Sequence, residues 1–304
     1  MKKIIILLLT VLCLTGCGAK TDGPVEVTDD IVLDYTVVSP SGAPSLSLLD
    51  LIDDTNMSFD IVDGSEVLQS EFSAGNADVI IAPINLGAKL SAATGNYKLL
   101  AVLTWGNLYL VSGVSEEEAA NAPVAAFGEA AVPGKVLGYL AEELGAYEFE
   151  WFNSVNEANA VLLAGEYHSA VLAEPVLTMA RSKYEGELNV LVDIQDLYKE
   201  KTGFASYPQA ALFVNVKCLE EGAKLDAFVK TVSDSIVNYN SDKEALSARI
   251  DKVDMSVLGF ANPDLIKNAY SRMALDFRYA ADCKDEIKTF LSLFGMELDE
   301  SIIG

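Results

Sequence analysis

The chain has 304 residues, of which 51% are hydrophobic and 22% charged, enough apolar material for one large core or two modest ones. Its 21 Lys and Arg stand against 45 scattered Asp and Glu, and the formal net charge of −24 repels phosphate backbones, which argues against nucleic acid as a partner. A soluble, self-repelling surface accounts for the acidity, so no substrate is inferred from it.

At the N-terminus Lys2 and Lys3 precede an apolar run from Ile4 to Leu14 and then small residues. The run is too short for a permanent spanning helix, which needs about 20 apolar residues, and reads as an export signal. Leu14-Thr15-Gly16-Cys17 resembles the bacterial lipobox, in which the Cys is diacylated after cleavage before it. The resemblance implies a lipoprotein signal peptide at 1–16, lipidation at Cys17 and anchoring to the outer face of the cell membrane. Residues 17–30 are polar and read as a flexible tether. Beyond Cys13 and Cys17 only Cys218 and Cys283 remain, far apart and without CxxC spacing or a nearby His, so no metal or thiol-redox site is expected. An exported compartment permits a disulfide between them if their Cα atoms come within about 7 Å; two buried unpaired thiols fit equally well.

From Ile31 onward strand-like and helix-like segments alternate, as in sheets flanked by helices. The first strand, Tyr35 to Val38, leads through the turn Ser39-Pro40-Ser41-Gly42-Ala43-Pro44 into an apolar helix ending near Ile52. Phe59 to Val62 precedes a helix from Ser65 to Gly75. Asp78 to Ile81 precedes Pro83 and a helix from Asn85 to Thr94, and Leu99 to Leu103 ends in Thr104-Trp105-Gly106. These strands are unbroken apolar runs, the pattern of mostly parallel sheets buried on both faces. A second series follows: strands at Tyr109 to Val111, Val124 to Phe127, Phe149 to Phe152, His168 to Ala173 and Leu188 to Val192, with helices from Pro133 to Leu144 and Asn156 to Ala164. After Tyr207-Pro208-Gln209 a strand from Ala211 to Val216 gives way to helices. Their apolar stripes run through Leu225, Phe228, Val229, Val232 and Ile236, and through Leu265, Ala269, Met273 and Phe277. Ser115 with Glu118, Ser154 with Glu157 and Ser241 with Glu244 fit capping boxes, and Asn262-Pro263 an N-cap with Pro at the first helical position.

The chain resembles a type II periplasmic-type solute-binding protein of an ABC importer, in the group that binds sulfonates, nitrate or thiamine precursors. The resemblance rests on Ser41-Gly42-Ala43-Pro44, Ala77 to Pro83, Thr104-Trp105-Gly106-Asn107, Ala126-Phe127-Gly128, Val132-Pro133-Gly134, Ala173-Glu174-Pro175 and Tyr207-Pro208-Gln209, in that order. It implies an α/β fold of two lobes, 31–106 plus 208–304 and 107–207, with a ligand cleft between them. It also implies a monomer that hands a small organic molecule, anionic or heteroaromatic, to a permease, with no cofactor and no catalytic residue.

The expected ligand-binding residues are Ser41, Gly42, Ala43, Pro83, Asn85, Thr104, Trp105, Gly128, Val132, Glu174, Tyr207 and Gln209. Ser41 to Pro44 and Val132 to Gly134 each join a strand to a helix start, where backbone N–H groups and the positive end of the helix dipole suit an anionic group. Gly42 permits close approach to the backbone. Trp105 and Tyr207 are candidates for stacking on a flat ligand. Asn85 is placed to donate to a ligand or to cap its helix, and Glu174 to pair with a cationic group. The group's members often carry Ser or Thr in the loop where this chain has Gly128-Glu129-Ala130-Ala131, so hydroxyl donors for sulfonate or nitrate are missing and Glu129 would oppose an anion.

The same architecture hosts enzymes, the main alternative, and a surface sensor lipoprotein is a third. Against catalysis, the one histidine, His168, opens a strand where an exposed or edge place is expected, and no GxSxG, HExxH or P-loop pattern occurs.

Overall fold

The computed structural model describes residues 31–62 and 64–304; the signal peptide, Cys17 and the tether lie outside the described residues. Two sheets organise the chain. The first has the strand order β11-β4-β10-β3-β1-β2, from β1 (Thr36–Pro40), β2 (Ser58–Val62), β3 (Val79–Pro83), β4 (Tyr97–Thr104), β10 (Ala210–Asn215) and β11 (Leu275–Tyr279). The second has the order β7-β6-β8-β5-β9, from β5 (Leu108–Ser112), β6 (Val124–Phe127), β7 (Phe149–Phe152), β8 (Ser169–Ala173) and β9 (Asn189–Asp193).

The central strands β3, β5, β8 and β10 are continuous runs buried along nearly their whole length, and β3 shows why such a strand is apolar on both faces. In β3, Val79 and Ile81 pack with Phe228, Val232 and Ile236 of the helix Ala223–Ser241, whereas Ile80 and Ala82 face Leu68 and Phe72 of the helix Ser65–Ala74. The second of these cores continues into the other sheet. Leu108, Leu110, Ala126 and Val171 belong to it, together with Trp105, Tyr198 and Tyr207.

The expected two-sheet α/β architecture is present, but the strand pairing is mixed rather than mostly parallel. β1 runs parallel to β2 and β3, and β6 to β7 and β8. β10 is antiparallel to β3 and β4, β11 to β4, and β5 to β8 and β9. β5 follows β4 of the other sheet directly and β10 arrives from the other sheet after the helix Ile194–Thr202, so neither is joined to its neighbours by the same-sheet crossover that makes strands parallel. β10 also separates β3 and β4, which are consecutive in sequence.

Three further expectations are corrected. The helix expected through Ile52 is a six-residue 3-10 turn, Ala43–Leu48, in which the Ser45 and Ser47 hydroxyls donate to the Gly42 and Pro44 carbonyls and compete with α-helical pairing. The stripe from Leu265 to Phe277 is not one helix: Pro263–Ala269 is helical, Ala274 adopts φ 53°, and Phe277 lies in edge strand β11. The helix Lys243–Ile250 is capped by Asp242, which accepts from the amides of Glu244 and Ala245, and not by Ser241. The Ser115–Glu118 box is complete, and the Asn262 side chain accepts from the Leu265 amide. Cys218 and Cys283 are buried and unpaired. Among the described residues no helix is long and apolar enough to cross a membrane.

Candidate functional site

Strand ends from both sheets meet at a cleft of about 740 Å³, within the range of small-molecule sites. The first sheet contributes the turn after β1, Pro40 to Pro44, and the step from β3 into the helix Ile84–Thr94, with Pro83, Asn85 and Leu86. The second sheet contributes Phe127 and the loop Ala130 to Pro133 after β6, and Ala173 to Val176 after β8. Asn107 and Gln209, where the chain passes from one sheet to the other, form part of the wall, and Phe260 with Gly259 comes from the loop beyond residue 258.

Of the expected residues, Ser41, Gly42, Ala43, Pro83, Asn85, Val132, Glu174 and Gln209 line this cleft. Gly42 has φ 97°, a value that disfavours side chains, and a Cβ there meets no atom within 4 Å, so the space beside it is open. Asn85 does not cap its helix, which Pro83 begins. The backbone of Gln209 is structural, its amide donating to the Thr104 carbonyl and its carbonyl accepting from the Ile84 amide.

Thr104, Trp105, Gly128 and Tyr207 are held elsewhere. The Thr104 hydroxyl accepts from the Ala210 amide at 3.0 Å. Trp105 is buried; its Nε1 donates to the Asp276 carbonyl at 2.8 Å, and the Arg278 guanidinium covers its ring at 4.1 Å. Tyr207 is fully buried, with its hydroxyl donating to Gln195 Oε1 and its ring stacked on Phe290. Burial pushes the Tyr207 phenol above its ordinary pKa. Both aromatics pack beside the chain crossings, where strand-end aromatics fill space under the backbone. The Gly128 carbonyl accepts from the amides of Ala131 and Gly134, folding the loop back on itself. Gly134 makes that fold possible, since a Cβ there would lie 2.0 Å from the Glu129 carbonyl oxygen.

The electrostatics differ from the expectation of two opposed helix N-termini. One terminus is only the 3-10 turn, and its Ser45 amide is already bonded to the Gly42 carbonyl. At the other, the helix Val132–Tyr139, the amides of Gly134 and Lys135 bond to Gly128 and Ala131. No Lys, Arg or His lines the cleft among the described residues. Its one ionisable lining residue, Glu174, is not available to a cationic ligand: Oε1 takes Arg272 Nε at 2.6 Å and the Thr178 hydroxyl at 3.0 Å, while Oε2 takes the Thr178 amide.

The sequence placed Asn107 and Phe127 within motifs but not in the cleft lining, and passed over Phe260 altogether. Asn107 is 4% exposed, its Nδ2 donates to the Glu174 carbonyl at 3.3 Å, and its Oδ1 has no hydrogen-bond partner among the described residues. Asn85 Oδ1 is likewise buried without a partner. An unsatisfied buried acceptor costs about 1–3 kcal/mol. The signal for Asn107 lay in its place beside Gly106, a polar residue in the middle of an apolar crossing; Phe260, distant in sequence, carried none.

No group of three or more His, Cys, Asp or Glu side chains is arranged to hold a metal among the described residues. His168 is exposed at the start of β8, away from the cleft lining.

No family model and no curated protein matches the chain. Solved structures do. An ABC transporter protein from Parabacteroides distasonis is 21% identical with a TM-score of 0.76, covering 90% of this chain and 99% of that one. The periplasmic aliphatic sulphonate binding protein SsuA from Escherichia coli is 13% identical, with a TM-score of 0.65 and coverage of 88% and 91%. The alkanesulfonate-binding protein SsuA from Xanthomonas axonopodis pv. citri, bound to MOPS, is 12% identical, with a TM-score of 0.59 and coverage of 90% and 94%. At these identities the likeness establishes the fold, which this chain shares with binding components of ABC importers over nearly their whole length.

Proposed function

We propose that the chain is an extracytoplasmic solute-binding lipoprotein that closes around a small organic molecule and presents it to the permease of an ABC importer. In this reading residues 31–106 with 208–304 and residues 107–207 act as two lobes. Ligand binding at the strand ends draws them together, and lipidated Cys17 keeps the monomer at the membrane surface. The observation that carries the proposal is the cleft itself, with the turn after β1 on one side and the loop after β6 on the other, on a fold shared with importer binding proteins. Among the described residues the cleft lining offers a carboxylate tied into an ion pair and neither a histidine nor a cysteine, which supports binding rather than turnover.

Purification from producing cells followed by native mass spectrometry tests this. One small molecule per chain is expected, and it stays chemically unchanged on incubation; the melting temperature falls when it is stripped. A ligand present at a hundred times its Kd stabilises the folded state by about 2.7 kcal/mol. Conversion of the retained molecule to a product would establish the enzymatic alternative instead. Replacing Cys17 with Ser is expected to abolish palmitate labelling and release the chain from the membrane fraction.

A further inference from the structure

We infer that Arg272 is a positioning residue for ligand binding, a clamp that holds the two lobes at one angle without help from a ligand, so that the cleft walls are already set for a guest. The inference rests on the solute-binding reading and its two lobes, and it specifies what restrains them.

The chain passes between the sheets at Trp105 to Asn107 and at Tyr207 to Gln209, and these crossings are fastened to each other. The Ser206 hydroxyl donates to the Trp105 carbonyl at 2.6 Å, and the Gln209 amide to the Thr104 carbonyl at 2.9 Å. Two segments bonded side by side act as one band, and a band leaves the lobes free to rotate about it. Fixing the angle takes a further connection away from the band.

Arg272 supplies that connection. It ends the turn Tyr270–Arg272 in the first lobe, directly after the helix Pro263–Ala269. Its Nε donates to Glu174 Oε1 at 2.6 Å and its Nη2 to the Thr178 hydroxyl at 2.6 Å, while its carbonyl accepts from the Tyr109 hydroxyl at 3.2 Å. All three partners belong to the second lobe, and Thr178 lies on the helix Val176–Lys183, which packs against Pro263–Ala269. Among the described residues, Arg272 with Glu174 is the one salt bridge between the lobes.

The clamp is strict for a geometric reason. A planar guanidinium holds two acceptors at fixed directions, which a point charge cannot do, and charge-assisted bonds are about twice as strong as neutral ones. A displacement of about 1 Å ends a hydrogen bond of 2.6 Å, so rotation about the band parts the guanidinium from both acceptors. Glu174 is also a residue of the cleft wall, with its carbonyl bonded to Asn107 Nδ2. The tie therefore sets where that wall stands relative to the first sheet.

Double electron–electron resonance on the full chain, stripped of ligand, tests the clamp. Cys13→Ser and Cys17→Ser leave the buried thiols Cys218 and Cys283, and nitroxides are placed on Gln69→Cys and Lys135→Cys. Both label positions are exposed on helices, Ser65–Ala74 in the first lobe and Val132–Tyr139 in the second. The parent is expected to give one narrow distance distribution. Arg272→Met with Glu174→Gln, which strands no charge, is expected to broaden it and lengthen its mean by about 2 Å or more, the scale of hinge rearrangements. Thr178→Val keeps the ion pair but removes one acceptor of the fork; it is expected to shift the distance the same way by less, and it decides the matter if the double variant does not fold. Arg272→Lys is expected to fall between the parent and the double variant. A merely structural role would lower melting temperatures and leave the distances unmoved. Folded variants with the parent's distribution, or a parent distribution already broad, overturn the clamp. The solute-binding reading is judged separately, by whether a molecule co-purifies with the chain.

Discussion

Arg272 Nε lies 2.6 Å from Oε1 of Glu174, and this ion pair joins the wall of the cleft at the end of β8 to the segment leading into β11 of the other sheet. The Glu174 side chain is fully buried while Arg272 remains about one-third exposed. Removing the cation alone therefore strands a carboxylate where water cannot solvate it. Arg272→Met is expected to lower unfolding stability by about 3 kcal/mol, measured by urea titration. The double variant with Glu174→Gln is expected to recover a substantial part of that loss; equal stability of single and double variants would refute the account.

Trp105 behaves as a structural anchor. Its indole N–H, its backbone and its ring face are all engaged within the protein. Trp105→Ala is expected to cost about 3–5 kcal/mol by cavity formation, read as a lower denaturation midpoint. Affinity for the cleft ligand should change far less than in Gly42→Asp, whose position lines the cleft.

Gly134 and Gly42 separate backbone fit from ligand access. Gly134→Ala forces a carbon onto the Glu129 carbonyl oxygen, so the loop after β6 must move, and a loss of about 2 kcal/mol or more is expected. Gly42→Asp meets no steric contact but a backbone conformation, φ 97° and ψ −152°, that is essentially confined to glycine, at about 1–3 kcal/mol, and it places a charged side chain at the cleft. Calorimetry on the folded variant should record loss of ligand binding.

Stability is expected to fall in acid partly through Asp53. The Arg249 guanidinium hydrogen-bonded to it holds its carboxyl below the ordinary value of 3.8. A carboxylate with a depressed folded-state pKa contributes stability that is present above the ordinary value and lost as pH falls through the folded one. Stability profiles below about pH 5 should be shallower for Arg249→Met than for the parent chain. Identical slopes would remove Asp53 from the explanation.

Cys218 and Cys283 should resist alkylation in the native state, because burial pushes each thiol up to about 12. Both should label rapidly once the chain is unfolded by denaturant without reductant. Labelling only after reduction would indicate a disulfide.

The alternation of apolar runs and capped helices made the two-sheet fold legible, since a run such as Val79 to Ala82 is apolar at every position only when both faces are covered. Strand direction was not legible: the runs of β5 and β10 read the same whichever way they enter a sheet. β11 was hidden because Phe277 continued a helical spacing, and the break at Ala274 has no local signature stronger than Met-Ala-Leu. Turns around Gly42 and Val132 announced cleft positions through Gly and Pro. Aromatic content misled at Trp105 and Tyr207, because a ring at a strand end serves packing and ligand stacking with the same residue type. Asn107 could be weighed only once its two amide ends were seen, one bonded and one not.

The place of β10 between β3 and β4 also dictates the order in which the chain can mature. During synthesis from the N-terminus β3 and β4 emerge consecutively, yet in the finished sheet the place between them belongs to residues 210–215. Before those residues are made, two unpaired backbone edges are offered to any passing extended segment. The first half of the polypeptide therefore cannot complete this sheet by itself, and its hydrogen-bonded continuity depends on a strand that lies beyond the whole of the second sheet in sequence.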